Sequence, residues 1–432
     1  MSAAADSLDT YKQTLRELSD RIVAAQKPIR ILDHIKWEPS IQEEFFKDGA
    51  RELPKVDAAY YQGRPLGFDS AKKRQEFHEI ERDITRQLGQ FNSLGGIMRR
   101  MCREYIQVVR MLEARGTPEF GAISEELYGS ASDAFHEGGA TLADLGKLLG
   151  DSLASIDQSE LLKPEEKTIT AEEAVKILQK RINVAFRESE GTVRVLISDG
   201  ILADAAAGAD YIKLRKEAKF NDRDLKVLEV HEGWVHLGTT LNGTQQPVCT
   251  FLSKGPPSST ITQEGLAIFM EIITFSSYPT RLRRLANRIR AVHVAEQGGD
   301  FLQVYRFFLE QGYAEAESFA NASRIFRGST PDGAPFTKDL SYNKGFIMIY
   351  NYLRLAVRKG MLNRIPLLFC GKTTLEDMRT LSQFVDEGII VPPRFLPPQI
   401  SDLNGITAWM CYSNFLNRLD LGRIQDDYAS IL

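Results

Sequence analysis

Cysteine is scarce in this chain: four residues, at positions 102, 249, 370 and 411, stand among 432. Spread so thinly, they build neither a disulfide framework nor a Cys-x-x-Cys metal clip, and they fit a reducing compartment. Long apolar runs are missing too. No stretch of ~20 uninterrupted apolar residues is present, and the first residues, Met1 to Asp6, have neither the basic nor the apolar region of a secretory leader. The expectation is a cytoplasmic protein that does not enter a membrane. One-sided charge is also absent: 54 basic and 58 acidic residues leave a net charge of −4, with no global pull toward nucleic acid or an anionic surface. At 43% hydrophobic and 26% charged residues, the composition is that of a folded protein with a large core, which excludes disordered and fibrous classes.

Histidine is sparse as well, with six residues at 34, 78, 136, 231, 236 and 293, so its grouping is informative. Three His-Glu pairs occur. His78-Glu79 lies in a highly charged, helix-like stretch, and His136 is followed by Ala140 and Thr141, which cannot bind metal. Only His231-Glu232-Gly233-Trp234-Val235-His236 leads through an apolar stretch to a second histidine, and Glu264 follows in Thr262-Gln263-Glu264-Gly265-Leu266-Ala267. Two imidazoles, a carboxylate beside the first and another downstream match a catalytic zinc site: three protein ligands (His231, His236, Glu264), an open position for water and a general base (Glu232).

The spacing departs from the usual i, i+4 pair of zinc-protease helices. Five residues of regular α-helix turn through about 500°, leaving the two side chains roughly 140° apart. A π-type turn, or loosening at the helix end, recovers the geometry, and Gly233 and Gly238 ease both. Asn221 as N-cap, an acidic first turn and Gly238 as a C′ residue predict a helix from about Asp222 to Leu237. The structural alternative is that His236 in a last turn and Glu264 in a first turn, after Thr262 as N-cap, merely complement helix dipoles. The combination of all four residues favours the site.

The His-Glu-x-x-x-His helix with a downstream Gln-Glu-Gly-Leu-Ala resembles the QEGLA-motif proteins of bacteria, relatives of the eukaryotic microtubule-associated tyrosine carboxypeptidases, over about residues 30 to 420. The resemblance implies zinc held by His231, His236 and Glu264, with Glu232 as base, which agrees with the residue-level reading. It also implies cleavage at a C-terminus. Eukaryotic relatives remove a tyrosine from tubulin; the reaction type, rather than that substrate, is what carries over.

Residues 1 to about 165 read as mostly helical, with periodic stretches at 11–25, 70–88, 93–115 and 141–153, punctuated by Pro54, Pro65 and Pro118. The polar segment from Asp157 to Thr168 marks the expected boundary to a catalytic domain over 166–432. That half opens with a helix near 171–185, then strands at 192–198 and 211–216 separated by a small-residue loop, Ala203 to Ala209. Strands leading into a metal helix follow the order of zincin folds, in which an edge strand pairs with substrate. The fold class is therefore α+β and predominantly helical, a zincin-like metallopeptidase core with a small sheet before the metal helix.

Gly371-Lys372-Thr373 looks like the end of a phosphate loop, but Pro366 stands where the loop needs glycine, so nucleotide binding is rejected. Arg281, Arg283, Arg284, Arg288 and Arg290 read as a solvated basic face or, alternatively, as an acidic-peptide contact. Glu271, two turns after Glu264, is either a rival ligand or a support for a ligating histidine. A carboxypeptidase needs a cation for the terminal carboxylate, and Arg327 and Lys338 are the candidates, on a loop that Asp339 or Ser341 caps into a helix. Tyr342 and His293 are candidate oxyanion donors. The resulting expectation is a zinc peptidase acting on a peptide or protein C-terminus. A hydrolase of small peptide or amino-acid conjugates, and a non-catalytic metal-binding regulator, stand as alternatives.

Overall fold

A computed structural model describes residues 2–156, 166–187, 193–201 and 203–429. The chain is predominantly helical, with one three-stranded sheet, an α+β composition. Helices form at each of the expected periodic stretches: Ser2–Gln26, Ser70–Leu88, Ser93–Glu113, Leu142–Ile156 and Ala171–Ala185. Side-chain caps explain several of their starts: Asp69 accepts from Lys72 N–H, Asn92 from Gly95 N–H, and Thr170 and Glu173 form a capping box. Pro118 punctuates by beginning a helix, Pro118–Tyr128, where its fixed φ suits the first position. The expected domain boundary falls largely on residues 157–165, outside those described. Among the described residues, no helix is long and apolar enough to cross a membrane.

The sheet is built from β1 (Arg194–Ser198), β2 (Ala205–Ala207) and β3 (Tyr211–Arg215), with β3 central. Parallel to β1, β3 pairs Ile212 with Val195 and Leu214 with Ile197; antiparallel to β2, it pairs Ile212 with Ala207. Position 192 of the expected first strand lies outside the described residues. The stretch read as a loop at Ala203 to Ala209 thus contains an edge strand. Alanine has little intrinsic strand preference, and pairing with β3 imposes the extended form. Val195, Ile212 and Leu214 pack on Leu178 and Ile182 of the preceding helix in one apolar cluster.

The largest cluster draws Met98, Val109 and Phe120 together with Phe251, Phe269 and Leu368, so segments from both ends of the sequence share one core. A second cluster is aromatic, with Trp37, Phe45, Phe301 and Phe319 meeting mostly edge-to-face. Each such ring contributes about 1.5–3 kcal/mol of burial. At the centre, the helix Pro257–Ile273 packs along the helix Ser341–Arg358, with Gly265 against Gly345: a Cβ on Gly265 would lie 2.0 Å from the carbonyl carbon of Gly345. The glycine of Gln263-Glu264-Gly265-Leu266-Ala267 is therefore a packing requirement.

Candidate active site

The helix that carries His231 and His236 begins where Asn221 and Asp224 form a reciprocal capping box, and α geometry runs through Asp222–Leu228. At Glu229 it gives way to a π segment, Glu229–Leu237, before α geometry resumes over Gly238–Thr244. The wider turn brings residues five apart onto one face. His231 and His236 meet edge-on, with ring centroids 4.7 Å apart and planes at 83°. Gly233 permits this wide turn to press against the helix Ala171–Ala185, since a Cβ there would stand 2.7 Å from Ile182 Cδ1. Gly238 does not end the helix as its residue type suggested: its φ and ψ are −57° and −47°. The reason is local. The Thr240 hydroxyl and Lys372 Nζ both donate to the His236 carbonyl, so no left-handed cap is needed to satisfy it.

Glu264 reaches the histidines from the helix Pro257–Ile273, which starts five residues before the expected Thr262 cap. Pro257 occupies its first turn, and Glu104 accepts from Ser258 N–H at 2.9 Å. Glu264 is thus too far along the helix for the dipole to account for it. One ligand atom from each of His231, His236 and Glu264 lies within 4.8 Å of the others. Glu264 Oε2 is 3.4 Å from Nε2 of both histidines, yet it is buried and meets neither at hydrogen-bonding geometry. The other oxygen, Oε1, faces Lys338 Nζ at 3.3 Å. Burial opposes ionisation of Glu264, but Lys338 and the two imidazoles outweigh it and hold the carboxyl well below its usual range.

Behind His231 stands Glu271. Its Oε1 is 2.7 Å from Nδ1, while Arg281 grips both oxygens through Nε at 3.1 Å and a terminal nitrogen at 2.8 Å. Despite full burial, Arg281 and His231 bring Glu271 down to about 2, and against the same burial Glu264 and Glu271 lift His231 to about 10. Of the two alternatives for Glu271, the geometry matches the supporting one: it holds the nitrogen turned away from Glu264. Glu232 Oε2 accepts the backbone N–H of Ala207 at 2.8 Å, which ties the free edge of β2 to this carboxylate.

A cleft of about 360 Å³ has Ala207, Gly208, His236, Glu264, Lys338 and Lys372 among its walls. Tyr342 lies beside it, its ring 6.4 Å from that of His231, with Arg288 and Lys338 at 5.3 and 5.8 Å from its centroid. Arg327 is 4% exposed and covered by Phe336, and its Nε has no hydrogen-bond partner among the described residues. Burial and the nearby Arg324 push it down to about 10. Asp339 does not cap the following helix; it is committed to Arg324, at 2.8 and 2.9 Å, with Arg288 Nε at 3.8 Å.

Four of the five arginines are drawn into contacts with neighbouring side chains rather than forming a solvated face. Arg281 and Arg288 turn into the site, Arg284 faces Glu317, and Arg290 bonds Asn287 and Gln311 over the Phe307 ring. His293 sits on the same helix, Pro279–Glu296, close enough to Asp144 to influence it, and is not among the residues lining the cleft. His78 and His136 are exposed.

Sequence reasoning missed Lys372. Its ammonium reaches the His236 carbonyl, Thr239 Oγ1 and Gln263 Oε1 at 2.9, 3.0 and 3.0 Å, and burial pushes it down to about 7. The triplet Gly371-Lys372-Thr373, dismissed as a phosphate loop, was the available signal.

No curated protein matches the chain. The family model for the microtubule-associated tyrosine carboxypeptidase matches residues 43–418, a span that holds the π segment, Glu264, Lys338 and Lys372. With most of its length covered, the chain belongs to the microtubule-associated tyrosine carboxypeptidase family.

Proposed function

We propose that this protein is a zinc-dependent carboxypeptidase that removes a C-terminal residue from a peptide or protein. The observation that carries the reading is Glu264 Oε2, a buried carboxylate oxygen midway between two imidazole nitrogens and hydrogen-bonded to neither. Among the described residues this oxygen has no donor at hydrogen-bonding geometry, and a cation shared with both Nε2 atoms would satisfy all three ligand atoms at once. Two imidazoles and one carboxylate are the ligand set of a catalytic zinc. Zinc bound there supplies a Lewis acid for the scissile carbonyl and acidifies the attacking water.

The chain's own residues supply the rest. Glu232, oriented by the Ala207 N–H, takes the water's proton and passes it to the leaving amine. The outer edge of β2 runs beside this base, where an extended peptide pairs main chain to main chain, as in a zincin-like core. Lys338, on the cleft wall, receives the terminal carboxylate, and the buried guanidinium of Arg327 adds positive potential behind it. A second pocket of about 270 Å³ shares Gly255, Thr260 and Lys338 with the cleft, and Ile31, Leu32, Tyr105, Tyr128 and Pro257 line it. Its size and lining suit a bulky aromatic terminal side chain, in keeping with the family's name.

The test is Glu232→Gln in zinc-loaded protein. The variant keeps one metal per chain while release of C-terminal residues, followed by mass spectrometry, falls by about 10²–10⁴-fold. Turnover at the parent rate would overturn the reading.

A further inference from the structure

Where a π segment returns to α geometry, the hydrogen-bond register changes, and carbonyls at the junction depend on side chains. His236 is at that junction. Its carbonyl accepts from Thr240 Oγ1 at 2.7 Å and Lys372 Nζ at 2.9 Å, while the single Thr239 hydroxyl proton has closer acceptors in Val235 O and Gln263 Oε1, both at 2.7 Å. The same ammonium reaches Gln263 Oε1 at 3.0 Å, and Gln263 is the residue before Glu264. Lys372 itself has little freedom: its N–H donates to Leu252 O at 2.7 Å, and a Cβ on Gly371 would lie 2.5 Å from that oxygen. Three convergent acceptors use the three hydrogens of one ammonium, so the group is spent on the protein although it borders the cleft.

We propose that Lys372 is a positioning residue: it grips the backbone of His236 and the side chain of Gln263 together, and so presents the His236 imidazole and the Glu264 carboxylate to one metal ion. This rests on the reading of His231, His236 and Glu264 as zinc ligands. It also gives Gln263 a task, as the handle by which the helix Pro257–Ile273 is held to the π segment.

The experiment measures zinc affinity by competition with a chromophoric chelator, on full-length parent, Lys372→Met, Gln263→Met and the double variant. Loss of the grip is expected to weaken zinc binding about 10–100-fold in Lys372→Met, the range for residues that orient ligands. The double variant should lose less than the sum of the two single losses, because the changes share the Lys372–Gln263 contact, although Gln263 also accepts from Thr239 Oγ1 at 2.7 Å. Lys372→Cys in a Cys411→Ser background, with Cys102, Cys249 and Cys370 buried, allows rescue on folded protein. Aminoethylation restores an ammonium at the length of lysine, and zinc affinity should return to the parent value. Parent affinity in Lys372→Met, additive losses in the double variant, or no recovery on aminoethylation would each overturn the proposal. A parent protein that binds no zinc would instead overturn the metal site on which it rests.

Discussion

Glu271 Oε1 lies 2.7 Å from Nδ1 of His231, at the end of a buried chain that starts at the Arg281 guanidinium. The contact decides which nitrogen of the ring is available. With Nδ1 held by a carboxylate, Nε2 is left facing His236 and Glu264, the orientation a ligating imidazole needs. Arg281 keeps Glu271 ionised and stationary, so the ring is fixed before any metal arrives.

Glu271→Gln should therefore weaken zinc binding without abolishing it. The expected loss is about 10–100-fold, from a less basic imidazole whose orientation is less strongly held. Chelator competition measures it directly, and a variant binding zinc as tightly as the parent would contradict the role.

Removing a proposed ligand should have a larger effect. Elemental analysis of purified protein should show close to one zinc per chain in the parent and in His78→Ala, whose histidine is exposed on the helix Ser70–Leu88. His231→Ala and His236→Ala should lose it. Zinc retained by both would place the metal elsewhere.

Much of this site was legible because its unusual feature is a spacing. Histidines at i and i+5 cannot share a face of an α-helix, so the sequence itself called for a π turn or a loosened helix end, and Glu229–Leu237 takes the first course. What escaped was long-range. Lys372 stands 136 residues from the carbonyl it holds, and no local pattern announces such a partner. β2 is three alanines whose extended form comes from β3 and whose importance comes from one N–H on Glu232. Gly238 carried the residue type of a helix end, but the Thr240 hydroxyl and Lys372 ammonium on the His236 carbonyl removed the need to stop. Arg288 and Arg281 read as surface charge until folding turned them toward Asp339 and Glu271.

Asp339 sets a pH dependence. Burial opposes its ionisation, but Arg324 and Arg288 prevail and hold its carboxyl below the ordinary aspartate range. A depressed carboxylate contributes stability that is present above its unfolded value, about pH 4, and is lost as pH falls through the folded one. Asp339→Asn leaves the guanidinium groups uncompensated and should cost about 3–5 kcal/mol at neutral pH. The gap between parent and variant in denaturant unfolding should narrow below about pH 4. A gap that stays constant from neutral to acid pH would show that the charge pair contributes nothing.

On the proposed reading, Lys338 sets where the enzyme cuts. Its ammonium borders the cleft and faces Glu264 Oε1 at 3.3 Å, whereas Arg327 is covered by Phe336, so the lysine is the cation proposed to meet a substrate's terminal carboxylate. A charge-assisted pair there contributes about 1.5–3 kcal/mol, roughly a ten- to hundredfold preference for free-acid over C-terminally amidated peptides. Lys338→Met should erase that preference. Arg327→Met should reduce it less, since its charge acts from behind. Because Lys338 also touches Glu264, zinc content is measured in the same preparations, and only metal-replete variants are compared. Mass spectrometry of products from a mixed peptide library gives the answer. Internal cleavage, or equal cutting of acid and amide forms by the parent, would remove the carboxypeptidase assignment of the cleft while leaving the metal site intact.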